Sequence, residues 1–269
     1  MLSYVDPRDL DEAPLKRLVG NKPEAVESRF KLTYATILHL LEHLGRERLA
    51  EAWEKSFNQF QHRERSQKAR ERNHREQRRL VELHVAFLRE LGYVDEQDKL
   101  TARGRIARHL HGYEVPLTEM LFKGTLEPLE PAALAVVFVG LVHEARRADQ
   151  GAYVAPRLFG GVRRHVGQVV RRLALREAEF GLPANTKEPD WGLTAAVVAW
   201  CEGAEFEELE EVTQATPGDI CRTYRMAVQL MRQVRRAIDP AWDLADRLGS
   251  GADLLNRDEV DARRQLELG

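Results

Sequence analysis

The sequence predicts a mainly α-helical protein, in which a winged helix with a small β-hairpin is followed by an α-helical bundle. Three observations carry this. Apolar residues return at three- and four-residue steps along most of the chain. Two short strand-like pieces flank the acidic turn of "YVDEQDKLT", residues 93 to 101. The segment "TPGDICRTYRMAVQLMRQVRRAI", residues 216 to 238, opens on a helix-start signature and holds its amphipathic period to the end.

The elements follow in order. Residues 1–27 are rich in Pro, Asp and Glu, show little periodicity and read as a linker or the frayed end of something larger. Ser28 is a candidate cap for the helix "RFKLTYATILHLLEHLG", where Phe30, Tyr34, Ile37, Leu38 and Leu41 share a face and Gly45 is the stop. A second amphipathic helix, "ERLAEAWEKSFNQFQ", aligns Leu49, Trp53, Phe57 and Phe60. Residues 62–79, "HRERSQKARERNHREQRR", contain no large apolar residue. Arg63, Arg65, Lys68, Arg70, Arg72, Arg75, Arg78 and Arg79 face only Glu64, Glu71 and Glu76. Such a segment is either a solvated charged connector, helical or mobile, or a phosphate contact. The helix "LVELHVAFLREL" ends at Gly92, the hairpin follows, and "TARGRIARHLH" resumes a helix. Helix pair, third helix and hairpin is the order of a winged helix, placed at 28–112. Helices interrupted by Pro116, Pro128, Pro131 and Pro156 fill residues 113 to 180, and "WGLTAAVVAWCEG" and "FEELEEVTQA" give two more. The helical bundle is placed at 113–269.

Composition bounds the function. The 269 residues suffice for one large or two small domains, with 43% hydrophobic and 31% charged residues. The formal net charge of -2 provides no global basic field, so any nucleic-acid contact must come from local patches. Cys201 and Cys221 are the only cysteines and form no Cys-x-x-Cys pair, which argues against a disulfide framework or a structural zinc site. The N-terminus lacks the basic start and apolar run of a signal peptide, and no apolar run is long enough to span a membrane. A cytoplasmic protein without membrane contact is expected.

The last long helix, 217–238, carries the most pointed local charge. Thr216 with Asp219 makes the start signature, and Pro217 occupies the first helical position. At about 100° per residue, Ile220, Tyr224, Ala227, Met231, Val234 and Ile238 fall on one face. Arg222, Arg225, Gln229, Arg232 and Arg236 fall opposite, with no acidic residue among them. A solvated face usually mixes signs, because Glu–Arg pairs at helical spacing support it. This face does not, although Glu205, Glu207, Glu208, Glu210 and Glu211 lie just upstream. Arginine suits phosphate forks and base stacking. A second basic cluster, in "RLFGGVRRHVGQVVRRLALRE", contains Arg163 and Arg164 beside Gly160-Gly161, a pair that either admits a phosphate to the backbone or simply turns between helices.

Several chemistries have no support. No G-x-x-x-x-G-K-[ST] loop occurs, "GSGAD" lacks the lysine, and "DEAP" at 11 to 14 reads as a loop. His39 with His43, and His109 with His111, have no third ligand and read as packing or exposed residues. No defensible Ser/His/Asp or Cys/His set is present either, so the chain alone shows no ATPase motifs and no catalytic, cofactor-binding or metal residue is assigned.

Five stretches together resemble the Ski-two-like (superkiller-type) DExH-box RNA helicases, in family order over about residues 15 to 245. "ESRFKLTYATILHLL" is similar to the family's S-x-F-x-L-x-Y-x-x-I-L-x-L-L segment, and "WEKSFNQFQ" to its S-F-x-Q-F-Q element. "LGYVDEQDKLTARGRIA" resembles G-Y-[IV]-D…L-T-x-x-G-R-x-A. "LTEMLFKGTLEPLEPAALAVVFVGLVHE" looks like the opening of the C-terminal helical (DSHCT) domain, and "TPGDICRTYRMAVQLMRQV" like its last long helix. The resemblance implies that residues 1–27 are a linker or a remnant of the second RecA-like motor domain, and that 113–269 is a DSHCT-like domain with a ratchet-like helix at 217–238. It implies an accessory portion of an ATP-dependent RNA helicase that guides single-stranded RNA out of a motor absent from this chain. Arg222 and Arg225 would face that RNA. Val228 stands where some relatives carry an acidic residue, which puts base-selective contact there in question. The motor domains would be partners in cis or trans, and ATP and Mg would belong only to them. Residues 62–79 occupy the place where eukaryotic exosome-associated relatives insert a large arch, which implies an archless, bacterial member. On this reading the chain is a C-terminal piece of a longer protein or the product of a split gene. Two rival readings stay open. One is a free-standing winged-helix DNA-binding regulator, for which residues 49 to 61 offer only Lys55 near the centre of the recognition helix. The other is a protein-interaction scaffold.

Overall fold

The computed structural model describes residues 32–55, 66–145 and 154–262. Over these residues regular structure is helical. The first helix, α1 (Tyr34–Glu54), is broken at Gly45, whose φ of 70° is a left-handed value that glycine adopts without a Cβ penalty. The expected stop at Gly45 is therefore a kink between two helical pieces. Ser28, Phe30, Phe57 and Phe60 lie outside the described residues.

Helix α2 (Gln67–Glu90) joins two segments that the sequence suggested were separate. Ser66 caps it, its side chain accepting from Ala69 N at 3.3 Å, and the charged stretch runs without interruption into the apolar one. Tyr34, Ile37, Leu38 and Leu41 of α1 meet Val81, Val85, Phe87 and Leu88 of α2 in one buried cluster. The Tyr34 and Phe87 rings stack at 5.9 Å.

The expected pair of strands is not formed. It is reduced to a single antiparallel bridge between Val94 and Leu100. Asp95 N donates to Lys99 O at 2.9 Å and Thr101 N to Tyr93 O at 3.1 Å. Between Glu90 of α2 and the start of α3 (Ala102–Ala107), the turn from Asp95 to Lys99 takes up the middle of the connection and leaves only Tyr93, Val94, Leu100 and Thr101 to pair. The turn is held by the Asp95 carboxylate, which accepts from Gln97 N and Lys99 N at 2.9 and 2.8 Å.

The larger core is built around α5 (Pro131–Val142), "PAALAVVFVGLV", which is apolar on every side and buried from Ala133 to its end. Pro131 opens it and breaks nothing, and Pro116 likewise sits in the first turn of α4 (Glu114–Phe122). Helices α8 (Pro217–Ala237) and α9 (Asp243–Leu255) pack on α5 and on each other, with α7 (Thr194–Cys201) completing the layer. "FEELEEVTQA" forms only a 3₁₀ turn, Glu207–Glu211, instead of the expected α-helix. Its adjacent carboxylates repel and Leu209 alone is buried to hold it. A closing 3₁₀ turn spans Asp258–Val260. Arg257 lies 3.4 Å over the Trp200 ring and donates to the Trp200 and Ala204 carbonyls, tying that turn to α7.

Helix α6 (Gly160–Glu179) bridges the two clusters: Val166, Val169 and Val170 belong to the larger and Leu173 to the smaller. Near its end the buried Glu177 carboxylate accepts from Tyr34 OH at 2.8 Å, Thr186 Oγ1 at 2.8 Å, Thr186 N at 3.0 Å and Asn185 N at 3.3 Å. A buried charge is tolerated because four donors replace its water. Among the described residues, no helix is long and apolar enough to cross a membrane.

Candidate nucleic-acid interface

The interface grows from α8. Its start is set by Thr216, whose hydroxyl donates to Asp219 Oδ2 at 2.9 Å and accepts from Asp219 N at 3.3 Å. Ile220, Tyr224, Ala227, Met231 and Val234 are wholly buried and Ile238 nearly so, all on the face the periodicity selects. That orientation turns Arg222, Gln229 and Arg236 to solvent and leaves Arg225 and Arg232 half-buried.

A cleft of about 590 Å³ runs along this helix. Arg222, Arg225, Met226, Gln229 and Gln233 form one wall, and His111, Tyr113 and Val142 the other. Met226 is an exposed apolar side chain at 39%. Its sulfur lies 3.7 Å from Arg222 Nη1. Burial pushes the Tyr113 phenol above its ordinary value, and the Glu144 carboxylate adds to this. Glu144 itself is held below the usual carboxylate range, first by the Lys187 ammonium that donates to it and to a lesser degree by Arg222.

The stripe residues are not equivalent. Arg222 and Gln229 reach into the cleft from an exposed position. Arg225 lines the cleft but spends two donors on the C-terminal turn, from Nε to Val260 O and from Nη2 to Glu259 O, both at 2.8 Å. Arg232 and Arg236 lie beyond the cleft lining on the same helix.

The second basic cluster is elsewhere. A separate cleft of about 560 Å³ is lined by Gly160, Gly161, Arg163, Arg164, Arg171 and Trp191, and shares no residue with the first. Arg163 holds the preceding loop, donating from Nε to Leu158 O at 2.9 Å and from Nη2 to Ala155 O at 2.8 Å. Arg164 is exposed. Phe159, at φ 53°, turns the chain into α6, so Gly160-Gly161 are the first two residues of the helix, not a turn between helices.

The opposite wall of the α8 cleft escaped the sequence reading. Tyr113 sits in "HGYEVP", where nothing but a lone aromatic next to a glycine marks it. The imidazoles of His39 and His43 are 4.3 Å apart, centre to centre. Among the described residues no group of three or more His, Cys, Asp or Glu is arranged to hold a metal. A wall of guanidinium, amide and thioether groups facing an aromatic can hold phosphates on one side and accept stacked or apolar groups on the other.

Residues 97–262 match the DSHCT (NUC185) domain. Mouse "Superkiller complex protein 2" is 31% identical over 189 residues, covering 67% of this chain and 15% of that protein. "Antiviral helicase SKI2" of Saccharomyces cerevisiae is 26% identical over 167 residues, 58% of the chain and 13% of that protein. Human "Exosome RNA helicase MTR4" is 25% identical over 185 residues, 64% of the chain and 17% of that protein. The chain therefore corresponds to a small part of each of these relatives.

Proposed function

The chain belongs to the DSHCT (NUC185) domain family, and from that premise we propose that it is the C-terminal accessory portion of a Ski2-like, ATP-dependent RNA helicase, whose task is to hold single-stranded RNA as it leaves the motor. The observation that carries this reading is the α8 cleft, with Arg222 and Gln229 exposed along one wall and Tyr113 across from them. Charge-assisted contacts to phosphates would come from Arg222, with Arg232, Arg236 and Arg164 extending the field and Gln229 meeting base or sugar edges. Arg225 and Arg163 contribute charge while they hold backbone carbonyls in place. The RecA-like motor domains, in cis or trans, would supply ATP and Mg chemistry. The finer assignments belong to the same proposal: a winged-helix unit at 28–112 whose wing is one bridge long, a DSHCT unit at 113–269, an archless bacterial type and a cytoplasmic location.

The test is titration of a labelled, unstructured RNA strand at two salt concentrations. Arg222→Glu should weaken binding by about tenfold or more and flatten the salt dependence, as expected when a phosphate contact is lost and a repelling charge is added. Unchanged affinity in Arg222→Glu and in Gln229→Ala would remove the α8 cleft from RNA binding.

A further inference from the structure

The N-terminal half of α2 carries a second cationic stripe. Lys68, Arg72, Arg75 and Arg79 recur at steps of four, three and four, and all four are exposed. At 100° per residue they lie within an arc of about 60° and span about 16 Å of helix axis. The opposite face is the one the fold covers: Asn73, Gln77 and Leu80 are half-buried and His84 is buried. Neutralisation along the stripe is slight. Glu71 accepts from Gln67 Nε2 at 3.0 Å. Glu76 approaches Arg79 at only 3.9 Å, with both side chains more than half exposed, so that pair is weak in water. Among the described residues no carboxylate pairs with Lys68, Arg72 or Arg75.

We propose that this face of α2 is a docking surface for the phosphodiester backbone of duplex nucleic acid, separate from the α8 cleft. Three features select that partner. From Gln67 to Arg79 the only apolar residue is Ala69, so the surface has no hydrophobic anchor for a protein or for the acyl region of a membrane. Between Gln67 and Arg79 the helix carries no Phe, Tyr or Trp on which an unpaired base could stack, so this stretch offers a single strand no stacking partner. Three of its four cations are arginines, whose planar fork matches phosphate oxygens, and a duplex offers the denser row of phosphates. The surface reads charge and spacing and is indifferent to sequence.

The decisive measurement uses the full chain with a blunt RNA duplex, a DNA duplex of the same sequence, an unstructured RNA strand and phosphatidylserine vesicles, each titrated over a salt series. The variant is Lys68→Gln, Arg72→Gln, Arg75→Gln and Arg79→Gln combined, with its fold checked by circular dichroism and urea midpoint. Duplex affinity at low salt should fall by about tenfold or more. The slope of log K against log salt should become shallower by about 3 to 4, one phosphate contact per lost cation. Single-strand binding should change less than about threefold, because the α8 cleft is untouched. A companion variant, Arg72→Gln with Arg75→Gln alone, covers the case in which the fourfold variant does not fold: its slope should become shallower by about 2, and an unchanged slope would overturn the inference. The inference is overturned if the Gln variant binds both duplexes with unchanged affinity and slope. It is also overturned if the stripe's contribution is as large for the vesicles or for the unpaired strand as for the duplexes. Failure of Arg222→Glu to affect single strands would count against the α8 reading alone and leave this surface standing.

Discussion

Arg225 in the middle of α8 donates from Nε to the carbonyl oxygen of Val260 at 2.8 Å, with Nη2 reaching Glu259 O at the same distance. The acceptors belong to the 3₁₀ turn Asp258–Val260, so the guanidinium ties α8 to the last turn of the described residues. A residue that looks from the sequence like one more member of a cationic stripe is therefore also the clasp that fixes the end of the described fold.

Arg225→Ala should destabilise the protein by about 2 kcal/mol, the cost of two charge-assisted bonds whose acceptors are left behind. Arg222→Ala should stay within about 0.5 kcal/mol, since that side chain is exposed. Urea midpoints compare the two. Equal midpoints would show that the clasp contributes nothing to stability.

Gly104 is the next sensitive position. A Cβ there would lie 2.2 Å from the Tyr93 carbonyl oxygen, and backbone cannot move aside as a flexible side chain can. Gly104→Ala should cost about 2 to 3 kcal/mol through overpacking between α3 and the turn that precedes it. At Gly161 a Cβ meets nothing within 4 Å, and the negative φ of a helical residue suits alanine. Gly161→Ala should be neutral or stabilising by up to about 1 kcal/mol. Thermal melts of the two variants shifting by the same amount would contradict this account.

Glu177→Ala should cost about 3 kcal/mol or more. It leaves the buried Tyr34 OH, and the half-buried bonds from the Thr186 and Asn185 amides, without their acceptor. Glu177→Gln keeps one acceptor oxygen but brings an NH₂ group against donors, and should fall between the wild type and the alanine variant. Denaturant titration followed by circular dichroism would give this ranking. A glutamine variant worse than alanine would reverse it.

His84 sets a pH dependence. Its Nδ1 lies 2.7 Å from the Leu80 carbonyl oxygen and so carries the proton, while Nε2 accepts from Asn185 Nδ2 at 3.1 Å. Burial holds the imidazole below its ordinary value, against smaller opposing effects from the Leu80 carbonyl and Glu177. The unfolded chain takes up a proton near pH 6.5 while the folded one resists until lower pH, so the unfolded state binds more protons in that window. Stability from this group is complete above about pH 6.5 and is lost as the pH falls, at no more than about 1.4 kcal/mol per pH unit. His84→Gln should flatten the fall between about pH 7 and pH 5 when midpoints are measured stepwise. The same fall in both proteins would assign the acid sensitivity to another group.

Local pattern told a good deal of this fold. Apolar periodicity alone selected the buried face of α8, and Thr216, Pro217 and Asp219 marked its first turn, because both depend on contacts within a few residues. The acidic turn at Asp95 was placed correctly, yet its strands were overestimated: helix α2 persists to Glu90 and α3 starts at Ala102, and only the packing of those helices decides how much chain remains to pair. The start of α2 was missed because charged residues without apolar partners give no period to read, although Ser66 stood ready as a cap.

By itself the sequence determined the first turn and the buried face of α8, and where positive charge gathers along the chain, since these follow from backbone propensity and from residues a few positions apart. Tertiary structure alone decided that Tyr113 would face Arg222 across a cleft, that Arg225 would clasp Glu259 and Val260, and that Glu177 would gather donors from α1 and the loop after α6. Those outcomes turn on which unsatisfied carbonyls, amides and hydroxyls come within hydrogen-bonding distance once the helices dock. That distance depends on residues tens to hundreds of positions apart, and no local spacing encodes it.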